Sequence, residues 1–186
     1  MYDERVFYDA DCLVCFLVVG QCEILQKLFS KMIIPAVVEN EILGLRFNPK
    51  IQYNYNKLKK MGFVEVRAMV DGSKEHGRYL KLKKKYKFMG KGEAAVIALA
   101  CEKGGIIASN NLLDVRGIVE DYGLNLITTS FILAKAYEED VKTRAELDNI
   151  WKDMLREGRK RSLANARSFT EYYEGEYKTD SFYMKI

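Results

Sequence analysis

Five short apolar segments alternate with longer amphipathic stretches along this chain, and that alternation limits its possible folds more than any other feature. The apolar segments are Val6-Phe7-Tyr8, Met32-Ile33-Ile34, Phe63-Val64-Glu65-Val66, Ile106-Ile107-Ala108 and Leu124-Asn125-Leu126-Ile127. Each is too short for a stable helix and reads as a buried or half-buried strand. Helices are predicted over residues 12–19, 23–31, 35–45, 51–61, 74–87, 93–103, 112–122, 131–139 and 144–156. Pro35 is expected at the first helical position of its helix, and Asn48-Pro49 reads as a break. Strands joined through helices pair in parallel and are covered on both faces. The expected class is therefore α/β with a mostly parallel sheet.

The chain has 186 residues, 48% of them hydrophobic, enough for one domain with a tail. The domain is expected over residues 1–157. Residues 158–186 turn polar and Tyr-rich without a clear period, and could pack on the body, on a second subunit, or serve as an interaction segment. No apolar run approaches the roughly 20 residues that span a bilayer, so no membrane is expected. The start, Met1-Tyr2-Asp3-Glu4, lacks the basic segment of a secretory signal. With four cysteines read as reduced thiols, the expected location is cytoplasmic.

Charge is distributed unevenly. Thirteen Lys or Arg and three Asp or Glu lie between Lys50 and Lys91, a local charge of +10 in a chain whose total is +4. A basic block of this density suggests a footprint for phosphates, although such runs are usually solvated helix faces.

In a doubly covered parallel sheet, ligands gather at the carboxyl ends of the strands. Asp9 ends the first strand, and few structural roles call for an Asp there. Ser109, Asn110 and Asn111 end the fourth, with Asp114 one helical turn on. Glu41 falls at the edge of the buried stripe of its helix, and Glu93 opens a helix of almost unbroken apolar sequence. Carboxylates brought together cannot all stay ionised without a cation. Mg²⁺ or Mn²⁺ takes oxygen ligands and can activate a water against a phosphodiester. Simpler roles compete: Asp11 as a helix cap, Glu93 as a helix-terminal acid, Asp114 as a solvated first-turn acid.

Four segments in order, residues 6–13, 33–42, 90–100 and 106–111, resemble the PIN domain, a metal-dependent ribonuclease fold that includes the VapC-type toxins. A fifth, residues 127–133, extends the likeness to about residue 140. The resemblance implies a three-layer α/β/α sandwich that cleaves single-stranded RNA with one or two Mg²⁺ or Mn²⁺ ions. It places the first acid on Asp9, the second on Glu41 (or Glu39 in another register) and the third on Glu93. At the fourth the chain departs, with amides at 110 and 111. Asp114 would supply the missing carboxylate, as ligand or water orienter, with Asn111 at the metal. An amide brings neither charge nor a base, so the alternative is an inactive RNA-binding or protein-interaction module on the same fold. The family also suggests a small antitoxin partner, if the chain is a toxin, and a homodimer.

Basic residues would hold RNA phosphates on the rim. The candidates are Lys81, Lys83, Lys84, Lys85, Lys87 and Lys91, with Lys91, Lys87, Lys85 and Ser109 favoured as substrate contacts. Tyr86 and Phe88 could stack bases, but the core is the stronger expectation for both. Cys12-Leu13-Val14-Cys15 has the spacing of a redox pair, yet its apolar filling points to helix core. His76 sits in polar sequence and reads as solvated.

Overall fold

The computed structural model describes residues 5–179, apart from the side chains of Leu113 and Asp114. Five parallel strands form one sheet among these residues, in the order β3-β2-β1-β4-β5. They are β1 (Val6–Tyr8), β2 (Met32–Pro35), β3 (Val64–Arg67), β4 (Ile106–Ala108) and β5 (Asn125–Ile127). β1 is central, with Phe7 in register with Ile33 on one side and Ile107 on the other. It is buried at every position, as the uninterrupted apolar run requires.

Helices cover both faces, giving the three-layer α/β/α sandwich. Helix α1 (Ala10–Val19) packs against α4 (Pro49–Lys60), α8 (Thr129–Glu138) and α9 (Arg144–Arg156). Helix α6 (Lys91–Lys103) lies across β1, β2 and β4, with α5 (Lys74–Lys85) packed outside it. Helices α2 (Cys22–Leu28), α3 (Ala36–Gly44) and α7 (Leu112–Asp121) complete the crossovers.

Several ends differ from the sequence expectation, each for a local reason. Helix α1 starts at Ala10 because Asp9 caps it: the Ala10 N–H donates to Asp9 Oδ1 at 2.8 Å. Asp11, expected as the cap, sits inside the first turn. Helix α2 ends at Leu28, before the predicted Lys31, because Phe29 turns extended (ψ 146°) into β2. Pro35 is the last residue of β2, not the first of α3; its ψ of 150° is extended. Asn48-Pro49 starts α4 instead of breaking the chain, with the Ile51 N–H on Asn48 Oδ1 and Pro49 in the first turn.

Beyond α9, residues 158–179 fold back on the body. A short helix, α10 (Phe169–Tyr172), buries Phe169 and Tyr172. Tyr172 stacks on Trp151 with centroids 5.6 Å apart, and the Thr170 hydroxyl donates to Asp148 at 2.7 Å. Burying each aromatic stabilises the docked arrangement by about 1.5–3 kcal/mol.

Gly105 marks the tightest backbone approach. Its φ is 142°, and a Cβ there would stand 2.5 Å from the Arg5 carbonyl oxygen and 2.9 Å from the Phe7 ring. Gly105→Ala is therefore expected to cost about 2 kcal/mol and to lower the melting temperature by roughly 5 °C. An unchanged melt would show that the start of β1 yields more easily than its burial suggests.

Candidate active site

The β3-β2-β1-β4-β5 order reverses direction between β1 and β4, and the crevice at such a switch point is where ligands bind. Asp9 stands there at the end of β1. Its backbone N–H continues the ladder to Ala108 O at 2.9 Å, which fixes the residue to the sheet edge. The residue is 6% exposed. Oδ1 accepts the Ala10 N–H, and Oδ2 accepts the Ser109 hydroxyl at 3.3 Å.

Helix α6 enters the same crevice by its N-terminus. Gly92, in its first turn, has both oxygens of Glu41 within 3.1 Å of where a Cβ would lie, and Asp9 Oδ1 within 3.2 Å. Only a glycine leaves that gap. The Gly92 N–H also hydrogen-bonds to the Glu41 carboxylate. Glu39 points elsewhere: it accepts from Tyr55 Oη and pairs with Lys59 at 2.6 Å. Glu41, and not Glu39, therefore stands on the side of Asp9.

Glu93 has local partners. Oε2 accepts the Gly90 N–H at 2.9 Å, the helix-terminal role considered from the sequence, and Oε1 accepts from the Asn111 amide. Asn110 is structural. Its Oδ1 accepts the Thr129 N–H at 2.8 Å, and its Nδ2 donates to Thr129 Oγ1 at 3.0 Å and reaches Asp11 at 3.4 Å. Asp114 belongs to α7, but its side chain lies outside the described residues.

Burial pushes the Asp9 carboxyl up to about 7 from an ordinary 3.8, with the Glu93 charge adding to it. The Ala10 hydrogen bond opposes the shift, and Glu41 and Asp11 add smaller amounts. Burial also raises Glu41, with Glu93 contributing. Like charges are thus crowded around the buried Asp9, with Glu93 half-buried and Glu41 on the exposed side of the crevice.

The crevice has a volume of about 370 Å³, and its lining includes Asp9, Asp11, Glu41, Gly92, Glu93 and Arg159. Among the described residues no three His, Cys, Asp or Glu side chains stand as a ready metal cage. The reason is visible in the bonding: Asp9 Oδ1 and both Glu93 oxygens are engaged by helix ends or by an amide. The oxygen-only donor set and the gap over Gly92 nevertheless suit a small hard cation.

The favoured substrate contacts do not line this crevice. Ser109 is buried and its hydroxyl is given to Asp9. Lys85 lies over the Tyr86 ring, 4.7 Å from its centroid, and Lys87 and Lys91 are exposed outside the lining. Lys83 is tied to the Met89 carbonyl. Tyr86 packs partly on the core as expected, whereas Phe88 is 64% exposed, against the core expectation. Cys12 and Cys15 are buried free thiols, Cys15 pushed by burial up to about 11, so neither supplies a thiolate. Arg159 and the bonding of Asp11 were missed from the sequence. The only available signal was the basic run Arg159-Lys160-Arg161 after Gly158.

A family model described as a PIN domain matches residues 5–165, and the chain belongs to that family. No curated protein matches it. A chain of a toxin–antitoxin complex from Klebsiella pneumoniae superposes with a TM-score of 0.49 at 18% identity, over 67% of this chain and 98% of that one. No helix among the described residues is long and apolar enough to cross a membrane.

Proposed function

We propose that this PIN domain is a Mg²⁺- or Mn²⁺-dependent endoribonuclease acting on single-stranded RNA. The observation that carries the proposal is the convergence of the Asp9 and Glu41 carboxylates over Gly92, beside Glu93. A divalent cation held there would stabilise charge developing on a phosphodiester and lower the pKa of an attacking water. The chain's own residues prepare for this. Ser109 and the Ala10 N–H orient Asp9, Gly92 keeps the gap open, and Glu41 faces Asp9 across it. Glu93 and Asn111, now bonded to each other, are the remaining oxygen donors beside Asp9, with Asp114 the further acid of the proposed set.

Calorimetry with Mn²⁺ at neutral pH, on the wild type and on Asp9→Asn, tests this first. Micromolar binding that the substitution abolishes is the expected result, followed by Mn²⁺-dependent cleavage of single-stranded RNA by the wild type alone. No binding by the wild type would sink the nuclease proposal. It would favour an inactive binding module, a role that fits the engaged oxygens of Glu93 and the amides at 110 and 111. If the nuclease serves as a toxin, alone or as a homodimer, its expression arrests growth. A small antitoxin encoded beside it then relieves the arrest.

A further inference from the structure

The acidic crevice faces a difficulty if its substrate is a polyanion. Asp9, Asp11, Glu41 and Glu93 all line it, and their field repels phosphate. Among the described lining residues the cation is Arg159, which comes from beyond α9. Gly158, at a φ of 76°, ends that helix and turns the chain, and the Arg159 N–H returns to Met154 O at 2.9 Å. The side chain then reaches the first turn of α1, where Nη1 meets Asp11 Oδ1 at 3.4 Å. The same oxygen accepts the Ser162 hydroxyl at 2.9 Å.

This guanidinium is poorly satisfied. Its ion pair is long, its side chain is 28% exposed, and its Nε is shut from solvent with no partner among the described residues. A buried donor without an acceptor is a standing cost, and the exposed part of the guanidinium keeps donors that an incoming anion can take. The residues that follow Arg159 line a larger groove of about 780 Å³, which includes Lys160, Arg161, Asn165 and Arg167 beside one acid, Glu171. Lys160, Arg161 and Arg167 are exposed, and none makes an ion pair with a described residue. Residues 156–167 carry five cations and one acid.

We infer that Arg159 and this groove are the phosphate-holding side of the crevice. Resting on the ribonuclease proposal, the inference assigns the single-stranded RNA backbone a path: Arg159 holds the phosphate at the carboxylates through its planar fork of donors. Lys160, Arg161 and Arg167 hold the phosphates of the neighbouring nucleotides. Asp11 acts as a positioning residue that keeps the guanidinium at the edge of the crevice.

The test uses the full chain carrying Asp9→Asn, in EDTA, so that binding is read without cleavage. The probe is a labelled single-stranded RNA of about 12 nucleotides, followed by anisotropy across a salt series. Arg159→Ala is expected to weaken binding about tenfold, with Arg159→Lys recovering part of it. The exposed triple variant Lys160→Ala/Arg161→Ala/Arg167→Ala is expected to lower the salt slope by about two, near 0.7 for each phosphate left without its cation. That variant carries the test even if Arg159→Ala unfolds. An unchanged slope, or a smaller slope in Lys85→Ala/Lys87→Ala/Lys91→Ala instead, overturns the assignment. RNA cleavage by the wild-type background with Mn²⁺ separates the two proposals. Cleavage with an unchanged slope leaves the nuclease standing and removes the path; a reduced slope without cleavage does the reverse.

Discussion

At pH 7 without metal, Asp9→Asn is expected to melt above the wild type by roughly 5–10 °C. With Mn²⁺ added it is expected to cleave RNA at least about a thousandfold more slowly. Both effects follow from one buried charge, which destabilises the metal-free fold and would hold the cation. The Asp9 carboxyl is raised to about 7 in the fold, from an ordinary 3.8, first by burial and then by Glu93. Holding it there costs on the order of 4 kcal/mol near neutrality, of which relaxation leaves about 2–3. Asparagine keeps the helix cap through its amide oxygen, and its amide nitrogen can donate to the Ser109 hydroxyl, but it has no charge to desolvate.

The sign of the pH dependence follows. Below the ordinary carboxyl pKa both states are protonated and the wild type keeps its full stability. As pH rises from about 4 toward 7 the unfolded chain releases the proton first, and the wild type loses stability relative to the variant. The gap should then level off above about 7. Saturating Mn²⁺ should raise the wild-type melting temperature and leave Asp9→Asn unmoved. A variant that melts below the wild type at pH 7 in EDTA would falsify the electrostatic cost; one that cleaves at the wild-type rate would remove Asp9 from the chemistry.

Gly92→Ala separates the site from the fold in the opposite way. The added methyl would stand 3.1 Å from both Glu41 oxygens and 3.2 Å from Asp9 Oδ1. Those atoms are side-chain ends that can swing aside, and alanine favours a helix over glycine by up to about 1 kcal/mol. The melting temperature should therefore hold or rise slightly. Filling the gap should nevertheless weaken Mn²⁺ binding by about tenfold or more and slow cleavage by about a hundredfold, in the range seen when metal-site geometry is disturbed. Wild-type binding and cleavage in a well-folded Gly92→Ala protein would show that Asp9 and Glu41 do not act across this gap.

Much of the architecture was legible locally. Apolar runs of three or four residues, separated by helical periods, define parallel crossovers wherever they occur, and all five strands follow from them. Asp9 stood out because a strand end in such a sheet faces the ligand crevice. Glu41 and Glu93 were also visible, one from the edge of an apolar stripe and the other from the start of an apolar helix. Their distance from Asp9 was not, since the fold alone brings α3 and α6 together over β1.

The sequence by itself determined the layers, the strand ends and the presence of several acids at them, because period and burial act over a few neighbouring residues. Tertiary structure decided which acid does what. Asp9 took the cap expected of Asp11 because its extended backbone, at ψ 152°, presents the carboxylate to the Ala10 N–H. That left Asp11 to receive Ser162 and Arg159, the latter 148 positions away in the chain. Asn110, a seeming replacement for a metal ligand, became the brace between β4 and α8 through Thr129. A side chain's partner is set by which strand ends and helix ends meet in space, and that meeting exists only once the sheet has closed its order around β1.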